Sequence, residues 1–264
     1  MIRSNDIFHN CLLCDKCLND KLLALEPEKY YLPTPWQGEI SGKVSILFLS
    51  INPSPTVCSN ANLSLIEQAE KGYSIKYEDF IKLEESGKNK ISELIYSTLA
   101  NAENRKRLEQ SLEKRKSIWT ITKKVAASLM KIDVSNIREY SDYILSEVIH
   151  CQTQTVNELG ESFSEIANIC FRTHTMQIIK MLMSLEWIVI SGKPAQNFIL
   201  SKNIIKLLSE EFKIGEQIFE DKIFLNKTIF YIKITDKIKL LFIPFMGNGQ
   251  WKSEYYNILN NSEI

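Results

Sequence analysis

Val44-Ser45-Ile46-Leu47-Phe48-Leu49-Ser50-Ile51-Asn52-Pro53-Ser54-Pro55 is the stretch whose reading decides the fold class. Its apolar residues run on without alternation and stop at turn formers, the pattern of a short strand covered on both faces, as in a parallel sheet. Three more runs share this character, at 143–149, 187–190 and 240–245, and the first two of these lead through polar or glycine-containing loops into helical pattern. Apolar residues at helical spacing predict helices at 121–132, 163–185 and 195–208. A hairpin is expected from 222–225 and 228–234, with Asn226-Lys227 at its turn. Together these elements predict an α/β protein: one domain over residues 1–264, a three-layer α/β/α sandwich around a central, mostly parallel four-stranded sheet. Ligands of open parallel sheets sit beyond the carboxyl ends of the strands. That rule gathers Asn52, the segment after Ile149, Ser191-Gly192 and Gly247-Asn248-Gly249 around one crevice.

Composition narrows the class. With 264 residues, 44% hydrophobic and 24% charged, the chain can bury a sizeable core. No signal-peptide pattern or bilayer-length apolar run is visible, so a cytosolic protein without a membrane partner is expected. Thiols there stay reduced, which favours metal ligation over disulfides. The formal net charge is zero, so a nucleic-acid partner would have to meet a local basic surface. One such surface is suggested within 71–124, a polar, helical stretch too long for a simple crossover and read as an insertion. Its second half holds Arg105, Lys106, Arg107, Lys114, Arg115, Lys116, Lys123 and Lys124 against Glu109 and Glu113. On a helix these could follow a phosphate backbone, or form a plain solvated face.

The cysteines stand far apart: Cys11-x2-Cys14-x2-Cys17 near the start, then Cys58, Cys151 and Cys170. Spacing alone leaves three readings open: a structural zinc site, an iron–sulfur cluster, or scattered core thiols.

The order of parts carries a resemblance. A cysteine pair, a strand ending in an Asn-Pro loop, Glu147-Val148-Ile149-His150-Cys151, then Ile169-Cys170 and Ile188-Val189-Ile190-Ser191-Gly192 resemble the uracil-DNA glycosylase superfamily, above all its iron–sulfur branch, family IV. The resemblance implies a structural 4Fe-4S cluster on Cys14, Cys17, Cys151 and Cys170, with Cys11 as alternative to one of the first two, zinc as alternative metal, and Cys58 a bystander. It implies that Asn52 positions the hydrolytic water, as in the Gly-Ile-Asn-Pro-Gly and Gly-Met-Asn-Pro-Gly loops of related branches, with Ile51 and Pro53 against the base. An ordinary Asn-Pro turn is the alternative.

Two departures from the branch bear on the substrate. Where Asn reads the uracil edge, this chain has Glu147. An ionised Glu only accepts hydrogen bonds, which suits the N4 amino group of cytosine; an exposed or ion-paired strand-end Glu is the alternative. The loop Phe245-Met246-Gly247-Asn248-Gly249-Gln250-Trp251 stands where relatives have a His-Pro-Ser or Asn-Pro-Ser type, and the three histidines, His9, His150 and His174, lie elsewhere. By resemblance Asn248 would bind the base and Trp251 would wedge into the duplex, with Ser54, Lys193, Gly247, Gly249 and Gln250 on the DNA; glycines beside an aromatic also describe a surface turn.

The expectation is a monomeric DNA glycosylase that hydrolyses the N-glycosidic bond of a flipped pyrimidine, probing double-stranded DNA. The departures point to a modified cytosine such as glucosylated 5-hydroxymethylcytosine in phage DNA. Uracil repair and a non-catalytic iron–sulfur DNA-binding protein are the alternatives.

Overall fold

The computed structural model describes residues 3–12, 14, 30–51, 55–111, 117–152, 163–247 and 251–262. The protein is mixed α/β, built on a seven-stranded mixed sheet. Its strands are β1 (Trp36–Gln37), β2 (Ile46–Ser50), β3 (Tyr143–Glu147), β4 (Trp187–Ser191), β5 (Ile223–Phe224), β6 (Phe230–Lys233) and β7 (Lys239–Ile243), in the order β1-β3-β2-β4-β7-β6-β5. The four apolar runs become β2, β3, β4 and β7, which pair in parallel.

A four-stranded sheet was too small an expectation. Antiparallel β1 extends the parallel set on β3, and β6 and β5 extend it on β7. β1 has two residues and no readable period. The β5–β6 hairpin forms where expected, with the Asn226 side chain accepting from the Thr228 and Ile229 amides, but it joins the main sheet because β6 pairs along β7.

Alternation sends successive strand residues to opposite faces. Leu47, Leu49, Ile144, Ile188, Ile190, Leu240 and Phe242 enter one apolar cluster. Ile46, Phe48, Tyr143, Trp187, Val189, Leu241 and Ile243 enter the other. The first face packs against α1 (Ser4–Leu12), α2 (Leu65–Glu70), α3 (Tyr77–Ile81), α4 (Glu85–Ala100), α7 (Phe163–Cys170), α8 (Met176–Met181), α9 (Lys193–Ile199) and α10 (Lys202–Phe212). The second carries α6 (Ser117–Met130) and α11 (Glu254–Asn261), with α5 (Ala102–Ser111) at its edge.

The helix expected at 163–185 is broken by a π-turn over Phe171–Thr175 and ends by Met181. That expected at 195–208 is two helices divided at Leu200-Ser201, where the Ser201 amide closes a turn on Phe198. The stretch 71–124 is largely helical in its described residues, and it is packed into the body: Ile91 and Leu99 are buried beside Trp36, and the Gly38 amide donates to the Leu99 carbonyl. Among the described residues no helix is long and apolar enough to cross a membrane.

Candidate functional site

The sheet order locates the crevice. From β2 the chain crosses to β3 on one side, then returns past β2 to β4 and on to β7, so connections leave β2 and β4 in opposite directions. Such a switch point opens a cleft beyond the carboxyl ends of the strands. Ser50-Ile51, Glu147 to Gln152, Ser191-Gly192 and Ile243 to Gly247 ring this cleft. Parallel hydrogen bonding continues past the strand ends, the Val148 and Ile149 amides donating to the Ser50 and Ile51 carbonyls. Ile51 is thereby fixed at the point where the Asn-Pro loop begins, its side chain on the first-face cluster. Asn52, Pro53 and Ser54 lie outside the described residues, as do Asn248, Gly249 and Gln250.

The opposite wall is built by close approach. Gly192 has φ +87, and a Cβ there would stand 3.4 Å from that of Phe245. At Gly247 a Cβ would come within 2.6 Å of the Phe245 ring. Both glycines let the two loops fold around Phe245. The Gly192 amide and the Gln196 side chain donate to the Ile243 carbonyl, and the Met246 amide donates to Ser191 Oγ. Lys193 is exposed on the rim as the first residue of α9. Trp251 lies partly buried against the Tyr255 and Tyr256 rings, with centroids 5.2 and 5.3 Å away, so its indole rests on the second-face cluster.

Glu147 is the last residue of β3 and stands level with Ser50 of β2. Alternation turns Ser50, Glu147 and Ser191 to the second face at neighbouring strand ends, a polar group that periodicity reads only as strand termini. Although Glu147 as a whole is partly exposed, its Oε2 is enclosed and has no hydrogen-bond partner. Gln37, on the same face of neighbouring β1, likewise leaves Oε1 enclosed and unpartnered. Burial pushes the Glu147 carboxyl up from the ordinary 4.5 to about 8. Burial thus favours the carboxylic acid, able to donate and accept, over the accept-only carboxylate.

The thiols gather on the other face. Cys11 ends the buried side of α1, Cys14 follows it, Cys170 ends α7, and Cys151 follows β3. Burial first, then the proximity of Cys170, Cys151 and Cys14, pushes the Cys11 thiol well above its usual range. Four cysteines from three distant segments thus act on one another, with Cys11 in the set; Cys17 lies outside the described residues. As placed, no group of three or more His, Cys, Asp or Glu side chains among the described residues could hold a single metal ion. Cys58 is remote in role, its thiol donating to the Asn60 carbonyl in a surface loop.

His150 joins this region to the strand. Its Nδ1 is 3.4 Å from Cys11 Sγ and its Nε2 3.1 Å from Thr175 Oγ1, which reaches the Glu147 carbonyl at 3.4 Å. Burial, then His174 beside it at 5.6 Å between ring centroids, holds His150 neutral, well below its usual range. Thr175 belongs to the π-turn, so this local irregularity aims a hydroxyl at the histidine.

The basic stretch does not form one cationic face in its described part. Arg105 is half-buried over the Trp119 ring at 5.7 Å and near Glu109, which accepts from the Tyr140 hydroxyl. Lys123 pairs with Glu139 at 3.2 Å, and Lys124 sits 5.4 Å from the Tyr256 ring centroid. Exposed Arg107 lies near Glu103, and Lys106 is exposed; Lys114, Arg115 and Lys116 are outside the described residues. Helical charge counting missed this because the partners of Arg105 and Lys123 are remote aromatics and carboxylates.

A cavity of about 50 Å3 lies between the 69–75 loop, α4 and α5, lined by Thr34, Ser74, Arg105 and Gln152 among others. Thr34 Oγ1 and Arg105 Nε there have no hydrogen-bond partner, whereas Ser74 donates to Gln152. No family model matches the chain, and no curated protein was found similar to it.

Proposed function

We propose that the protein is a DNA glycosylase that draws a pyrimidine out of the duplex into the cleft beyond β2, β3 and β4 and hydrolyses its N-glycosidic bond. The observation that carries this reading is the convergence at one sheet end of the Ile51 loop start, the enclosed Glu147 carboxyl and the loop from Ile243 to Gly247, with Cys14, Cys151 and Cys170 near Cys11 on the opposite face. The parallel pairing of β3, β2, β4 and β7 supports the reading by bringing these loops to one sheet end. In this reading Asn52 holds the water, Ile51 and Pro53 line the base, Glu147 pairs with its edge, and Asn248 meets its other side. Ser54, Lys193, Gly247, Gly249, Gln250 and Trp251 face the duplex.

The thiol set fits a cationic group. Cys11, Cys14 and Cys170 are buried and Cys151 is partly exposed, and a cubane cluster is bound by thiolates spread around a body larger than a single ion. Cys14, Cys151 and Cys170, with Cys17 or Cys11, would hold it. Its contribution would be structural, tying the N-terminal helix to the segment after β3. This chain's own residues do the rest: His150 and Thr175 hold that segment in place, and Glu147 exchanges hydrogen bonds with the base.

A modified cytosine remains the favoured target. The 69–75 loop and helices α4 and α5 enclose the cavity at Arg105, where an added polar group would find donors. At its present size it admits about three or four water molecules, so a hexose requires the 69–75 loop to move outward. Uracil is the second reading, because a neutral Glu147 can donate to O4 and accept from N3–H as readily as it can pair with N3 and the N4 amino group of cytosine.

The test is incubation with duplexes containing uracil, cytosine, 5-hydroxymethylcytosine or its glucoside, followed by alkaline cleavage at abasic sites. Cleavage confined to the modified cytosines is the expected outcome. Efficient release of uracil with the glucoside ignored establishes repair instead, and no cleavage of any duplex removes the glycosylase reading.

A further inference from the structure

Glu147 is the side chain whose surroundings ask most for a ligand. Its Oε2 is shut from water at the end of β3, with no hydrogen bond, in a cleft rim where neighbouring polar groups are otherwise engaged or neutral. A buried acceptor left without a donor is costly, so such an atom is unusual unless something else completes it.

Among the described residues no charged partner of its carboxyl is found. On β2 its neighbour is Ser50, on β1 the nearest same-face polar group is Gln37, and two residues back on β3 stands Tyr143. From the first-face π-turn comes Thr175, and His150 beyond the strand end is neutral. Four described cations of the second face are engaged elsewhere: Arg105 with Glu109, Lys123 with Glu139 and Arg138 with Asp142, with Lys124 over Tyr256. Desolvation is the whole cause of the raised carboxyl.

Resting on the glycosylase reading, we propose that Glu147 meets the flipped pyrimidine as a neutral carboxylic acid, its O–H and C=O making a paired contact with two adjacent polar groups of the base edge. The alternative, a carboxylate, has acceptors only. Both pyrimidine edges carry one donor and one acceptor side by side: N4 amino and N3 in cytosine, N3–H and O4 in uracil. A carboxylate satisfies one and sets its second oxygen against the other lone pair in an enclosed site. The acid satisfies both by placing its proton on the oxygen that faces the acceptor. Charge on Glu147 therefore does not separate cytosine from uracil; the two acid oxygens exchange roles between them. Discrimination falls to groups that recognise a substituent on the ring, and binding is switched by pH.

Two measurements on the full-length protein test this. Infrared difference spectra of the wild type minus Glu147→Gln, without DNA, should contain a carboxylic-acid carbonyl band at pH 6.5 that is lost through a midpoint near 8. Single-turnover release from whichever of the four duplexes is cleaved should fall by about tenfold for each pH unit above that midpoint. Glu147→Gln, which cannot ionise, should lose this dependence whatever its absolute rate. No acid band at pH 6.5, or the same alkaline profile in both proteins, overturns the proposal while leaving the glycosylase reading intact. An acid band with no base released from any duplex removes both.

Discussion

The two ends of β3 carry one carboxylate each, five residues apart, in opposite circumstances. Asp142, just before the strand, is buried and fully engaged: it accepts from the Arg138 amide at 2.8 Å and from Arg138 Nε at 3.0 Å, with Nη2 also in contact. Its own carbonyl accepts from the Ser45 amide. Glu147, at the carboxyl end, has an enclosed oxygen with no partner. The first arrangement closes a turn and starts a strand, and every polar atom is accounted for within the chain. The second leaves a polar atom for something outside it. At the end where parallel-sheet ligands bind, incomplete satisfaction reads as function, and at the other end satisfaction reads as architecture.

The contrast is broken most severely beyond Glu147. Cys170→Ser should lower iron in anaerobically purified protein from about four atoms per chain, one cubane cluster, and sharply reduce soluble yield. Zinc in the wild type, or unchanged iron in the variant, would refute the cluster assignment. Next in size, Asn52→Ala should reduce base release by about a hundredfold or more while DNA binding, followed by fluorescence anisotropy, persists. Retained turnover would take Asn52 out of the catalytic role.

Asp142→Ala tests the architectural end. Losing its hydrogen bonds should cost about 1–3 kcal/mol of stability, seen as an earlier chemical-denaturation midpoint, with turnover per folded molecule unchanged. A variant that folds as well as the wild type but releases base more slowly would erase the distinction between the two ends.

A pH-dependent effect sharpens the functional end. Because the folded carboxyl of Glu147 is raised, the folded state holds its proton over a range where the unfolded chain has released it. Wild-type stability should therefore decline between about pH 4.5 and 8 from this group and level off above, as the folded form also ionises. Glu147→Gln lacks this term. Its melting temperature relative to the wild type should rise across that window and then stay constant, and a difference independent of pH would mean that Glu147 is ionised in the fold.

Much of this was legible in the chain. The apolar runs around Phe48, Ile144, Val189 and Leu241 identify buried strands because local periodicity and β-branching are properties of a few neighbouring residues. The turn at Asn226 and the separated cysteines are likewise local marks, and they determined the α/β class, the hairpin and the candidate ligand set. Other features exist only once distant segments meet. The placing of β5 and β6 in the main sheet depends on pairing with β7, and β1 on pairing with β3. Arg105 looks like a solvated helix charge until Trp119 and Glu109 enclose it, and Cys11 joins the other thiols only because α1 docks beside the end of α7. Glu147 is the sharpest case: its identity was plain in the sequence, but its protonation is governed by desolvation, which exists only once distant segments have packed around the end of β3.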